Sequence, residues 1–149
     1  MHRRRVLAVL VVVLGAGAAF AGAAENRSYV RPSLPSGDGP PFSGAVRVGN
    51  TLYVSGDIGL TENQKVPDDA KAEARLLLER FKRTLGEAGF TMDDLVYVTV
   101  FCSDVKHYAD WNEVYRAHFK KEFPARAFIG SGRLLFDARF EMQGIAVKR

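Results

Sequence analysis

The sequence predicts an α/β domain on a mixed sheet, its elements running strand, strand, helix, strand, helix, strand, strand. Three observations carry this. Residues 66–88 and 106–119 each place apolar side chains at helical spacing. Residues 95–102, Leu-Val-Tyr-Val-Thr-Val-Phe-Cys, read as a strand between them. Strand-like pairs at 45–55 and 124–147 flank that centre. Crossovers between parallel strands return right-handed, which places both helices on one face of the sheet.

The first 24 residues lie outside the domain. Arg3, Arg4 and Arg5 precede an apolar run from Val6 to Phe20, and Ala21-Gly22-Ala23-Ala24 follows. Basic head, apolar middle and small-residue end are the parts of a secretory signal peptide. The expectation is export, periplasmic or secreted, with no stable membrane insertion after cleavage. A retained anchor is the alternative, because the run to Ala24 nearly reaches spanning length. Residues 25–40 hold Pro32, Pro35, Pro40, Gly37 and Gly39 without periodicity and read as an extended arm. Residues 41–149 form the domain.

Composition bounds the function. The chain is 47% apolar and 26% charged, as in globular proteins. Its net charge of +4 owes three units to Arg3, Arg4 and Arg5. Without residues 1–24 the balance is nearly even, which gives no composition-level case for a nucleic-acid partner. Cys102 is the only cysteine, and its apolar strand marks it as a buried thiol. His107 and His118 are too far apart to pair on one helical face, and no zinc spacing is present.

Residues 45–48 and 51–55, joined by Gly49-Asn50, read as a two-residue hairpin, with Gly56 and Gly59 at its exit. The first helix is expected over 66–88, capped by Asp68 or Asp69 and ended by Gly89. Its polar side, including the Glu residues, reads as solvated. The strand 95–102 is apolar on both faces and should be covered on both. The second helix presents Tyr108, Trp111, Tyr115 and Phe119 as a core stripe.

The last two strands, 124–130 and 138–147, read as an antiparallel hairpin. In that register Arg126 faces Glu141, and both share a face with Phe128 and Gln143, while Ala127 and Ile129 join the core face of Ala138, Phe140, Met142, Gly144 and Ala146. A guanidinium fork can hold a small carboxylate by two parallel hydrogen bonds. A carboxylate beside it can take a proton from water. The same pair also reads as an ordinary surface ion pair, worth about 0.2–1 kcal/mol. With both helices on one face, the opposite face is left apolar and bare, which predicts association.

The motifs resemble those of a known family. They are Pro41-Phe42-Ser43-Gly44-Ala45-Val46 with Val54-Ser55-Gly56; Thr99-Val100-Phe101-Cys102-Ser103-Asp104 with Trp111-Asn112-Glu113-Val114-Tyr115; Pro124-Ala125-Arg126; and Phe140-Glu141-Met142-Gln143-Gly144-Ile145-Ala146-Val147. Four motifs in order resemble the Rid family of reactive intermediate deaminases, also called YjgF-type or endoribonuclease L-PSP proteins. The resemblance implies a chorismate-mutase-like fold and a homotrimer with sites in clefts between subunits. It implies hydrolysis of 2-imino acids to 2-oxo acids and ammonia, without metal or organic cofactor. Arg126 would hold the substrate carboxylate and Glu141 activate the water. Phe42, Gly56 and Phe128 would line the pocket. Two residues depart from the pattern: Phe42 stands where a site tyrosine is usual, and Asp57 where Gln is usual. The second puts a further negative charge near an anion site. Two other functions compete, a carboxylate-binding protein without turnover and a ribonuclease.

Overall fold

The computed structural model describes residues 26–31 and 39–149. The expected signal segment and half of the arm lie outside them. Six strands form one sheet: β1 (Arg27–Val30), β2 (Ala45–Val48), β3 (Thr51–Ile58), β4 (Leu95–Cys102), β5 (Ala125–Gly130) and β6 (Phe140–Val147). The helices are α1 (Ala70–Glu87) and α2 (Tyr108–Arg116). Spatial order is β1-β2-β3-β6-β4-β5. The mixed α/β architecture is the expected one, with one strand more: the arm contributes β1, antiparallel to β2 at the sheet edge.

Local chemistry sets the elements. Gly49, at φ +60°, makes the tight turn between β2 and β3. The Asp69 carboxylate accepts from Ala72 N at 2.7 Å and caps α1, so the helix starts later than position 66. Gly89, at φ +78°, follows its end. The second helix is also shorter than 106–119, because Val105–His107 forms a single 3₁₀ turn ahead of it.

Both helices pack on one face. Leu77, Leu78 and Phe81 of α1 and Trp111 and Tyr115 of α2 share a core with Leu52, Val98, Val100, Phe140 and Met142. Cys102 is fully buried there, as expected. Glu73 is not on the solvated side of α1: it is fully buried. Its Oε1 accepts from Arg139 N (2.7 Å) and Phe140 N (3.0 Å), and Oε2 from the Arg139 guanidinium (2.8 Å). A buried carboxylate is tolerated only when so paired. This clamp ties α1 to the start of β6.

The C-terminal hairpin does not form. α2 returns the chain to β5, which lies parallel to β4 at the sheet edge. β6 then passes over the end of β4 and inserts between β3 and β4, antiparallel to both. Ser131 N to Cys102 O and Ser103 N to Arg139 O stitch that crossing. Strand β4 therefore separates the two segments expected to pair, and the faces of β5 are reversed. Val98 registers with Arg126 and Val100 with Phe128, so both face the helices, while Ala127 and Ile129 face away.

The other face carries no element among the described residues. Tyr53, Ile145, Tyr97 and Ala125 form one row across β3, β6, β4 and β5. Gln143, Thr99 and Ala127 form the next row on β6, β4 and β5, and Glu141, Phe101 and Ile129 the row after it. Tyr53 is 51% and Ile129 42% exposed. This is the bare apolar face that composition of the strands implied, without Phe128, which lies on the helix side. Among the described residues no helix is long and apolar enough to cross a membrane.

Candidate functional site

Arg126 sits one residue into the edge strand β5, with its side chain laid against α2. Tyr108, Asn112 and Tyr115 recur at i, i+4 and i+7 and so share the helix side that meets it. Arg126 Nη2 donates to Asn112 Oδ1 at 2.8 Å. Its Cζ lies 4.8 Å from the Tyr115 ring centre, 5.7 Å from Phe128 and 5.8 Å from Tyr108. Three rings hold the guanidinium plane by cation–π contact. No described carboxylate forms an ion pair with it, so the charge is available to an anion. The Tyr108 hydroxyl is held below its ordinary pKa, first by its hydrogen bond with Asn112 and then by the Arg126 charge. Burial pushes Tyr115 up to about 12, with Arg126 opposing.

Glu141, at the start of β6, points to the open face and is half-buried. It registers with Ile58 on one side and Phe101 on the other. The register of β3 breaks between Val54 and Asp57, and this bulge seats Gly56 beneath the carboxylate. A Cβ at position 56 would collide with Glu141 Oε1, so a larger residue there would have to push the carboxylate off its seat. Desolvation, then the Asp57 charge, raises the Glu141 pKa above the usual carboxylate value. Burial therefore makes it a better proton acceptor than a free carboxylate.

Glu141 opens onto a hollow of ≈ 550 Å³ walled by Arg133, Leu134, Leu135, Phe136 and Asp137. Phe136 and Asp137 both have left-handed backbones, at φ 58° and 57°. Arg133 Nε donates to Asp137 Oδ1 across the loop. Leu135 and Phe136 remain exposed, at 71% and 57%.

The expected site residues thus fall into two groups. Gly56 and Glu141 meet on the open face. The turn bearing Phe42 is tied to them through Ser55 Oγ, which donates to Ser43 O at 2.6 Å. Phe42 itself is 56% exposed. Arg126 and Phe128 meet on the helix face. Arg126 and Glu141 are neither cross-strand neighbours nor on one face; β4 and the plane of the sheet separate them. Asp57 does not add its charge to the Arg126 side: it turns to α1 and pairs with Arg80 at 3.0 Å. Asn112, Tyr108 and Tyr115 were missed as partners of Arg126. The signal is their i, i+4, i+7 spacing; the sequence reading takes Tyr108 and Tyr115 as core and gives Asn112 no contact. Among the described residues no group of three or more His, Cys, Asp or Glu side chains is arranged to hold a metal ion.

Comparison with known proteins places these features. The family profile described as endoribonuclease L-PSP matches residues 37–148. A RutC family protein of Sulfurisphaera tokodaii is 39% identical over 110 residues, covering 72% of this chain and 88% of its own. The 2-iminobutanoate/2-iminopropanoate deaminase of Escherichia coli (strain K12) is 34% identical over 128 residues, covering 83% and 99%. Among solved structures, yeast Mmf1 superposes with a TM-score of 0.75 at 32% identity, covering 83% of this chain and 100% of its own. E. coli TdcF with bound serine superposes with a TM-score of 0.74 at 29% identity, covering 82% and 99%.

Proposed function

From its membership in the endoribonuclease L-PSP family, also called the Rid or YjgF family, we propose that this chain is an exported deaminase. It hydrolyses 2-imino acids to 2-oxo acids and ammonia, in clefts between the subunits of a homotrimer. The observation that carries the reading is the pair of half-sites: an anion-ready Arg126 on one face and a strengthened base, Glu141, on the other. Neither half completes a site alone. A second chain, laid with its open face against the β5 edge, brings its Glu141 to the first chain's Arg126. The exposed Tyr53, Tyr97 and Ile129 of that face give the contact its apolar area.

In this site Arg126 binds the substrate carboxylate with the guanidinium edge left free by Asn112. That fixes the C=N carbon above a water held by Glu141. Glu141 takes one proton from the water as the oxygen bonds to carbon and the C=N electron pair moves to nitrogen, and it then returns that proton to the nitrogen. The carbinolamine then collapses: Glu141 takes the hydroxyl proton and passes it to the amino nitrogen, the C–N bond breaks, ammonia leaves, and the C=O bond forms. Proton acceptance by a placed base contributes about 10²–10⁴-fold, and holding the reactants in place contributes several kcal/mol more. The test is imine hydrolysis with imines generated by an amino-acid oxidase. Turnover of at least one 2-imino acid is expected; its absence across the common amino acids would sink the reading.

A second reading is a protein that binds a small carboxylate without turnover. The relative TdcF, solved with bound serine, favours it, as does the hydroxyl missing at Phe42. Binding of 2-oxo acids with no hydrolysis of any imine would decide for it.

A further inference from the structure

We propose that Asp57, held by Arg80, is a positioning residue that sets both the seat and the proton affinity of Glu141. This rests on Glu141 as the proton acceptor and concerns a position where this chain departs from its family's usual Gln.

The geometry forms one continuous connection. Asp57 Oδ1 receives three N–H groups: its neighbour Ile58 N at 2.9 Å, Arg80 Nε at 3.1 Å and Arg80 Nη2 at 3.0 Å. Arg80 belongs to α1, so the carboxylate pins the β3 bulge to a packed helix. The residue before Asp57 is Gly56, on which the Glu141 carboxylate rests. The residue after it is Ile58, the registered partner of Glu141. Loss of the pin frees the bulge beneath the base.

Charge works through the same connection. Arg80 and Asp57 side chains are only 26% and 23% exposed, so solvent screens them less than surface charges. The negative charge of Asp57 favours the protonated carboxyl of Glu141. The other charged groups around Glu141 are accounted for. Arg133 and Asp137 of the adjacent loop bond to each other. Arg139 is directed to Glu73 and to the Pro67 and Asp68 carbonyls. β4 presents Phe101, which has no charge.

The pair therefore makes a two-signed prediction that a purely structural role does not. Asp57→Asn removes the negative member and should move the Glu141 titration to lower pH. Arg80→Gln removes the positive member and should move it to higher pH. The measurement is a carbon-detected NMR titration of the Glu141 side-chain carboxyl in the intact protein, assigned by its disappearance in Glu141→Gln. If Asp57→Asn does not fold, Asp57→Gln carries the same change with a longer amide. Shifts of opposite sign establish the coupling; shifts of one sign, or none, overturn it. The NMR readout needs no turnover, so it stands apart from the deaminase assay. Opposite shifts with no imine hydrolysis support the coupling and count against the enzyme. Where hydrolysis occurs, the acid limb of kcat/KM should follow the NMR midpoints.

Discussion

Arg126 and Glu141 stand on opposite faces of one sheet, Arg126 level with Val98 beneath the helices and Glu141 level with Phe101 on the open side. A small ligand cannot touch both side chains of one chain. If two chains build each site, two inactive variants should rescue each other. Arg126→Ala and Glu141→Gln, mixed, unfolded and reassembled, should regain activity in about one site in four for a cyclic trimer. Sedimentation of each variant at the trimer mass is the control. Mixed oligomers without activity would mean that the site is not shared.

Arg126→Ala should lower kcat/KM by roughly 10²–10⁴-fold, the loss of two hydrogen bonds to a charged group. Arg126→Lys should recover little, because an ammonium cannot make the planar two-bond grip. Steady-state kinetics with the protein's best imine decides it. Wild-type rates in Arg126→Ala would make Arg126 a core-edge cation and nothing more.

Glu141 must be ionised to accept a proton, so activity should fall as pH drops through its raised pKa. The stability effect has the opposite sense. A carboxyl raised by burial binds more protons folded than unfolded, so its contribution worsens as pH rises through that window. Glu141→Gln should therefore lose activity at neutral pH while its melting temperature holds or rises. A fall in both together would mark Glu141 as structural.

Glu73→Ala removes the acceptor for two backbone amides and a guanidinium. Breaking a buried pair this way costs about 3–5 kcal/mol. Urea unfolding should show that loss, with Glu73→Gln between it and wild type. A change below about 1 kcal/mol, the scale of an exposed pair, would contradict the clamp.

Arg3, Arg4, Arg5 and the apolar run predict cleavage after Ala23. Mass spectrometry of the protein from its host should find an N-terminus near Ala24. An intact Met1 in a cytoplasmic fraction would end the export proposal.

Strands and helices were legible because their cues are local. Gly49-Asn50 turns where expected, Asp69 caps α1, and the apolar, β-branched and aromatic run of 95–102 is β4 without change of bounds. Partnership between distant strands is not local. Positions 124–130 and 138–147 have the spacing of a hairpin, and nothing within them says that β4 lies between. The burial of Ala146, Gly144 and Met142 was read correctly, because alternation on β6 alone reports it. The face of Arg126 was not, because β5 is an edge strand whose two sides are both partly covered. Glu73 was misread for a related reason: helical spacing cannot reveal that a carboxylate has backbone amides to receive it.

The place of β6 governs how the chain can fold. The domain's last strand in chain order is central in the sheet, between β3 and β4. Until Phe140–Val147 is available, the β1-β2-β3 unit and the β4-α2-β5 unit each present an unpaired inner edge. Such edges are aggregation templates, and pairings this distant in sequence form slowly. The domain is thus unfinished until that strand is made. A truncation of only the final eight or ten residues would leave two incompatible half-sheets instead of a slightly shortened domain.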